Sequence, residues 1–194
     1  ILRDFFYVYY MLTTEEFKKY IEVLSNGKYL SYKEGKSAFE YIMTGNATDI
    51  LISSFLTSLK IIFINSGISH DLIAAGADIM REKAIKIKAS DDTIDIVGTG
   101  GDGHNTLNIS TATALVISGT GIKVAKHGNY SASSMSGSAD VLISLGINIK
   151  NDISNVQKCL DECGICFLFA PKHHSAMKHV MNVRKELHFR TIFN

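Results

Sequence analysis

The chain has 194 residues, of which 46% are hydrophobic and 20% are charged. This apolar fraction excludes disorder as a description of the whole chain and is sufficient for a buried core. Twenty basic and nineteen acidic side chains give a formal net charge of +1, so the charge does not predict binding to nucleic acid or to an anionic membrane. Three cysteines do not make a disulfide framework, and we expect a reducing, cytoplasmic environment.

The first ten residues differ in pattern from those that follow. They combine a short apolar run with an acidic residue, and no small-residue cleavage site of a signal peptide follows them. A more regular sequence begins at Met11. We therefore expect residues 1–10 to be a non-native or disordered leader.

Helix signals fill the first half of the chain. Two capping boxes, Thr13-x-x-Glu16 and Ser31-x-x-Glu34, each begin an amphipathic segment that a glycine ends. The predicted helices cover residues 13–27, 31–45, 48–64 and about 69–84. The longest apolar stretch, residues 50–64, contains Lys60 and several hydroxyl groups, so we predict that it does not span a membrane. These signals predict an N-terminal helical domain over residues 11–90.

From Thr93 onward, strands, loops and helices alternate, which predicts a parallel sheet covered by helices. The predicted strands cover residues 93–97, 122–125 and 165–169, and the predicted helices cover 108–118, 139–145, 152–163 and 175–187. Three strands are too few to complete such a sheet. We therefore expect the α/β domain, residues 91–194, to be truncated.

A glycine-rich loop, residues 98–103, follows the first predicted strand and precedes a helix with Asn108, Ser110 and Thr111 in its first turn. Glycines allow the backbone to approach a ligand, and a helix N-terminus favours anions, so the pattern predicts a phosphate or diphosphate site. A tight turn without a ligand is the alternative. The loop fits the dinucleotide fingerprint, but Lys126-His127 stand where that fingerprint requires an acidic residue.

A second polar loop begins with Lys126-His-Gly-Asn129 and continues through a serine-rich stretch to Ser138. Because loops that follow parallel strands meet at one edge of the sheet, we expect both loops to line one crevice. Lys126 would act there as a point charge on phosphate, and the serines as neutral donors. A solvated Ser/Gly linker is the alternative interpretation.

These motifs, in this order and spacing, resemble the anthranilate phosphoribosyltransferase family over about residues 13–194. The resemblance is carried by segments 95–103, 106–111, 124–129, 133–134, 137–142, 183–187 and 190–194. It implies the two-domain fold of nucleoside phosphorylases and phosphoribosyltransferases, with a small helical domain that mediates homodimerisation and a mainly parallel-sheet α/β domain. It also implies a reaction of tryptophan biosynthesis. Anthranilate and 5-phosphoribosyl 1-diphosphate (PRPP) give N-(5-phosphoribosyl)anthranilate and diphosphate, with Mg²⁺.

The same resemblance implies the roles of individual residues, without a general acid or base among them. Gly98, Asn129 and Arg184 would bind anthranilate, Arg184 through the carboxylate. Ser110 would ligate one Mg²⁺. PRPP would be held by Gly98, Gly101, Asp102, Thr106, Asn108, Ile109, Ser110 and Thr111, and by Lys126, His127, Gly128, Asn129, Tyr130, Ser131, Ala132, Ser133, Ser134 and Ser138.

The sequence departs from the family pattern at three positions within these motifs. Tyr130 stands where the family usually has arginine, so one cationic contact is lost. Asn182 replaces a proline and His188 a glycine. The family's paired Asp-Glu metal ligands lie beyond Asn194, and we expect this 194-residue piece to lack a complete metal site and to be inactive alone.

Two other functions stay open on the sequence alone. The first is a pyrimidine nucleoside phosphorylase, which shares the architecture and a phosphate loop, but Asn129 and Arg184 disfavour it. The second is a non-catalytic nucleic-acid-binding relative, which should be strongly basic, unlike this chain.

Sulfur and imidazole groups form a separate pattern. Cys163 and Cys166 match C-x-x-C, but they fall at a helix end and inside an apolar strand, so we interpret them as structural thiols. His173 and His174 follow a strand and would line either the substrate crevice or a surface loop. A structural role is favoured for His127 over acceptance of the amine proton.

Overall fold

The computed structural model describes residues 12–98, 107–131 and 136–192. The expected leader and most of the glycine-rich loop therefore lie outside the described residues. The chain divides into two compact units, Ile1–Lys83 with Ala176–Asn194, and Ala84–Ser175. The elements are α1 (Thr14–Ser25), α2 (Tyr32–Met43), α3 (Asp49–Ser66), α4 (His70–Lys83), α5 (Ile109–Gly119), β1 (Val124–Gly128), α6 (Ser138–Ser144), α7 (Ile153–Cys163), β2 (Ile165–Phe169), α8 (Ala170–His173), a 3₁₀ helix (Ser175–His179) and α9 (Met181–Leu187).

The first four helices confirm the helices predicted for this part of the chain, and both capping boxes are formed. The Thr13 side chain accepts the Glu16 N–H, and the Ser31 side chain accepts the Glu34 N–H, while each glutamate accepts the N–H of its cap residue. These bonds satisfy backbone donors that the first turn of a helix leaves without partners.

Aromatic side chains form the core of the helical unit. Phe17 packs against Tyr41 and Phe55, with ring centroids 5.0 and 5.5 Å apart, and Phe39 meets Phe55 edge-on at 5.7 Å. A Cβ at Gly35 would lie 2.7 Å from Leu72 Cδ2, so this glycine allows the close packing of α2 on α4.

Helix α3 corrects one sequence-based expectation. It has 18 residues and is long and apolar enough to cross a membrane by length and composition, which the sequence analysis excluded. Five of its side chains, Ile52, Phe55, Leu56, Leu59 and Ile62, are buried in the core of the helical unit. The buried side chains lie on one face of α3 and make up 28% of the helix.

The single helix predicted over residues 175–187 is wrong. The chain forms a 3₁₀ helix and then α9, with Val180 between them at φ −114° and ψ −8°. The hydrogen bonds change type at this residue: the Val180 N–H donates to the Met177 carbonyl three positions back, as in a 3₁₀ helix, whereas the Arg184 N–H donates to the Val180 carbonyl four positions back. Val180 and Val183 are then buried in the core of the helical unit.

The two strands run parallel, with Val124 opposite Ile165 and Gly128 opposite Phe169. Helix α5 packs on β1, and α7 packs on β2. A parallel pair with helical crossovers confirms the predicted fold class, an α/β domain after an N-terminal helical bundle. Within the described ranges the sheet has these two strands.

The strand predicted over residues 93–97 is reduced to one bridge, between Ile94 and Val124. Ile94 exchanges both ladder bonds with β1, through Lys123 and Ala125. If the ladder continued, the His127 N–H would donate to the Ile96 carbonyl. Instead, Asp95 Oδ1 accepts the His127 N–H at 3.0 Å, and Lys126 Nζ donates to the Ile96 carbonyl at 2.6 Å. Side chains therefore end the pairing where the chain approaches Gly98.

Candidate substrate site

The carboxyl end of β1 collects several of the predicted site residues. Lys126, His127 and Gly128 are the last three residues of the strand, and Gly98 follows the bridged segment beside it. The N-terminus of α5, with Ser110 in its first turn, reaches the same place, since Ser110 Oγ lies 3.4 Å from Lys126 Nζ. The two predicted loops therefore start at one edge of the sheet.

Asn108 is the N-cap of α5. Its Oδ1 accepts the Thr111 N–H at 3.3 Å and the Thr111 hydroxyl at 2.6 Å, and Thr111 is only 2% exposed. Ile109 is 63% exposed beside them. These bonds fix the first turn of α5. The backbone N–H groups of that turn point out of the N-terminal end of the helix, where an anion would be stabilised.

Lys126 is buried, with 2% of its surface exposed. Its ammonium donates to the Ile96 carbonyl at 2.6 Å and lies 3.4 Å from Ser110 Oγ. Burial lowers the pKa of Lys126, because desolvation disfavours the charged form, while the Asp95 carboxylate acts in the opposite direction. The cation predicted for phosphate is thus held against the segment that leads to Gly98.

Asp95 was not among the predicted site residues, although it opens the first motif. Its carboxylate holds the backbone of His127 at the sheet edge. The available signal was an acidic residue between Ile94 and Ile96 of a predicted strand, shortly before the glycine-rich loop.

The second loop leaves β1 through a crowded position. A Cβ at Gly128 would lie 2.7 Å from Phe167 Cε2 and 2.9 Å from Ser138 Cβ, so only glycine fits there. The Asn129 carbonyl accepts the Ala139 N–H at 3.1 Å. Asn129 and Ser138 are therefore neighbours although nine positions separate them.

Tyr130, at the position of the family's usual arginine, packs on the sheet. Its ring meets Phe169 edge-on at 5.3 Å, and its N–H donates to Asn129 Oδ1 at 2.8 Å. The side chain is 42% exposed. A ring–ring contact thus occupies this position instead of a charge.

Three imidazoles cluster beyond the strand ends. The ring centroids of His127, His173 and His174 lie 5.0 to 5.8 Å apart. The buried atoms His127 Nε2, His173 Nδ1 and His174 Nδ1 have no hydrogen-bond partner among residues 12–98, 107–131 and 136–192. Burial lowers the pKa of all three, to about 4 for His174. These contacts hold His173 and His174 against His127 of β1, and whether the two line a substrate crevice or a surface loop stays a prediction.

Arg184 lies on α9, in the unit that contains the helical bundle. It is half-buried, and burial lowers the pKa of its guanidinium. The other predicted residues with described positions belong to the α/β unit.

Gly98 is exposed, and a Cβ added there would meet none of the described residues within 4 Å. Its φ is not positive, so neither packing nor backbone conformation requires glycine at this position. Six of the predicted residues lie outside the described ranges: Gly101, Asp102, Thr106, Ala132, Ser133 and Ser134.

The C-x-x-C pattern does not form a pair. All three cysteines are free, Cys163 is exposed and Cys166 is buried. Burial raises the pKa of the Cys166 thiol to about 11, which makes it a poor nucleophile and metal ligand.

Comparison with known families matches nearly the whole chain. The model described as "Glycosyl transferase family, helical bundle domain" matches residues 18–84, and "Glycosyl transferase family, a/b domain" matches residues 90–194. The anthranilate phosphoribosyltransferase of Parvibaculum lavamentivorans is 48% identical over 92% of this chain and 51% of its own length. That of Bacillus caldotenax is 48% identical over 91% of this chain and 72% of its own length.

Solved structures agree with these relatives. Anthranilate phosphoribosyltransferase from Thermus thermophilus superposes with a TM-score of 0.81 at 38% identity, over 89% of this chain and 52% of that chain. The Saccharomyces cerevisiae enzyme in complex with PRPP and Mg gives a TM-score of 0.82 at 31% identity, over 93% and 53%. The chain spans about half the length of the first relatives that it matches. On this evidence, the chain belongs to the anthranilate phosphoribosyltransferase family.

Proposed function

We propose that the protein transfers the phosphoribosyl group of PRPP to the amino group of anthranilate, giving N-(5-phosphoribosyl)anthranilate and diphosphate in tryptophan biosynthesis. The observation that carries the proposal is the convergence of Ser110, Lys126 and the start of the second loop at one sheet edge, in a member of this family. The yeast relative bound to PRPP and Mg supports the choice of substrate.

PRPP is proposed to bind at the N-terminus of α5, where the capped first turn presents backbone dipoles and the Ser110 hydroxyl. We propose that Gly98 lies between the two substrates. The space around its Cα supports this, because the described residues leave it open to a ligand. Donors from Asn129, Ser131 and Ser138 would cover the phosphates from the second loop.

The reaction forms a C–N bond at the anomeric carbon as the bond to diphosphate breaks. The demand on the protein is to hold the amine in line with the leaving group and to stabilise the negative charge that develops on it. Backbone dipoles of α5 and the nearby Lys126 ammonium serve the second task. Arg184 is proposed to orient anthranilate, because a guanidinium matches a carboxylate in a bidentate pair.

Mg²⁺ is the proposed metal. Among the described residues, one proposed ligand for it is present, so they form only part of a binding site. Ser110 Oγ is an oxygen ligand of the type that Mg²⁺ prefers, but no cluster of acidic or imidazole ligands is found in the ranges that the structure describes. Mg²⁺ commonly takes ligands from substrate phosphates. When bound, it would neutralise charge on the diphosphate, and Ser110 would contribute one ligand.

A cytoplasmic homodimer that binds neither nucleic acid nor membrane is the proposed state of the protein. Helix α3 supports self-association, because Ile50, Ile61 and Ile64 are 78%, 53% and 68% exposed and recur at helical spacing on one side of it. Ile61→Glu should shift the molar mass in light scattering from dimer to monomer. An unchanged dimer would exclude this face as the contact.

The activity is tested by mixing the chain with anthranilate, PRPP and Mg²⁺ and following the loss of anthranilate fluorescence, with diphosphate release as the second readout. The same assay is run on the chain extended by any coding sequence that follows codon 194. We expect PRPP-dependent turnover in the extended protein. Uridine phosphorolysis without anthranilate turnover would instead identify a nucleoside phosphorylase.

A further inference from the structure

One carboxylate joins two distant points of the second loop. Asp140, in the first turn of α6, accepts the Ser131 N–H at 3.0 Å and the Gly137 N–H at 2.7 Å. Both bonds end on the same atom, Oδ2, although six positions separate the two donors. The carboxylate therefore holds the backbone at Ser131 beside the backbone at Gly137.

The backbone around this carboxylate is packed without spare room. A Cβ at Gly137 would lie 2.7 Å from the Asn129 carbonyl oxygen and 2.5 Å from the Tyr130 carbonyl carbon, and it would also collide with the Ser131 nitrogen. The Asn129 carbonyl accepts the Ala139 N–H at 3.1 Å. Residues 129–131 are thus fixed against the start of α6 by two hydrogen bonds, from Ser131 N–H to Asp140 and from Ala139 N–H to the Asn129 carbonyl, and by direct contact with Gly137.

The charge of Asp140 suits this arrangement. The two backbone N–H donors lower its pKa below the ordinary aspartate value, because they stabilise the ionised form. The bonds are charge-assisted, and such bonds are stronger than those between neutral groups. An ordinary helix cap needs only the bond to Gly137, so the bond to Ser131 is the additional feature.

We propose that Asp140 is a positioning residue for substrate binding, which fixes where Asn129 and Ser131 present their side chains to anthranilate and PRPP. This role rests on the proposed function. A residue that only caps α6 would affect stability alone. Loss of the Asp140 carboxylate should in addition weaken ligand binding by more than the loss of stability explains.

The test uses Asp140→Ala, Asp140→Asn and Gly137→Ala in the 194-residue chain, with magnesium diphosphate as the calorimetric probe. Asp161→Asn is the control, because it removes an exposed carboxylate of α7 in the same unit. Asp140→Ala and Gly137→Ala should weaken binding at least about 10-fold, since displacement of positioned groups by about 1 Å has effects of that order. Asp140→Asn keeps an oxygen that can accept both N–H groups, so it should restore most of the affinity.

A second readout does not depend on substrate. The amide signals of Ser131 and Gly137 should shift with the ionisation of Asp140 at acidic pH in the wild-type chain and in Asp161→Asn, but not in Asp140→Asn. Absence of this shift from the wild type overturns the contact itself. Shifted amides with unchanged diphosphate affinity in Asp140→Ala overturn the positioning role alone. If neither the wild-type 194-residue chain nor the chain extended by the coding sequence that follows codon 194 binds diphosphate, the proposed site and the positioning role are overturned together.

Discussion

Lys126 donates a hydrogen bond to the Ile96 carbonyl across 2.6 Å, and this bond replaces one rung of the parallel ladder. The rung would have used the His127 N–H, which Asp95 Oδ1 accepts instead. Two charged side chains thereby end the pairing between the bridged segment and β1. The chain is released from the sheet two residues before Gly98, where the proposed substrate site begins.

Lys126→Met should lower the free energy of unfolding by about 1–3 kcal/mol, the range for loss of a hydrogen bond from a charged group that leaves a partly buried carbonyl without its donor. Methionine fills a similar volume, so packing is largely kept. Urea unfolding at pH 7 measures the change. The matched control is Lys123→Met, which alters an exposed lysine just before β1 and should change stability by less than about 0.5 kcal/mol. Equal losses in both variants would contradict a specific role for the Ile96 contact.

The histidine cluster should make the α/β unit less stable in mild acid. Burial lowers the pKa values of His127, His173 and His174, to about 4 for His174, whereas an unfolded histidine titrates near 6.5. Between these values the unfolded chain binds more protons than the folded chain, so stability falls as pH drops from about 7 to about 4. Below about pH 4, His174 is protonated in both the folded and the unfolded chain, so it no longer changes the free energy of unfolding with pH.

The variant that tests this pH dependence is His174→Phe, which keeps a ring in the cluster and removes a titrating group. We expect it to reduce the loss of unfolding free energy between pH 7 and pH 4.5 by about 1–3 kcal/mol, at about 1.4 kcal/mol per unit of pKa shift and less for partial solvent exposure. His70→Phe, at an exposed position of α4, is the control. A wild-type stability that is flat over this range would show that the imidazoles are solvated.

Gly98→Ala should change ligand affinity and leave stability unchanged, whereas Gly128→Ala should lower stability. Within the part of the chain that the structure describes, a Cβ at Gly98 meets nothing within 4 Å. Thermal stability should therefore be unchanged, while affinity for PRPP falls because the methyl group enters the proposed ligand space. A Cβ at Gly128 lies 2.7 Å from Phe167 Cε2, and overpacking of this kind costs about 1–3 kcal/mol. Melting curves with and without PRPP separate the two effects. Unaltered PRPP binding by Gly98→Ala would remove Gly98 from the site.

The sequence predicted the helices well because their signals are local. The capping residues Thr13 and Ser31 and the glycine stops act within one or two turns. The strand over residues 93–97 was wrong because its ending depends on Lys126, about thirty positions away. Asp140 was missed for the same reason, since its bond to Ser131 arises only when the second loop folds back onto α6. The resemblance supplied candidate residues, and their contacts could come only from the fold.

Tyr130→Arg should restore the cation that the family usually places after Lys-His-Gly-Asn. We expect diphosphate to bind about 10-fold more tightly, because an added charge-assisted hydrogen bond contributes about 1.5 kcal/mol. The variant loses the edge-on contact with Phe169 at 5.3 Å, and stability should fall by about 0.5–1.5 kcal/mol. Tyr130→Phe keeps that ring contact without adding charge, and should match the wild type in both measurements. If Tyr130→Arg loses the stability without gaining affinity, the Tyr130 side chain does not face the phosphates, and the substitution of tyrosine for arginine in this chain serves packing alone.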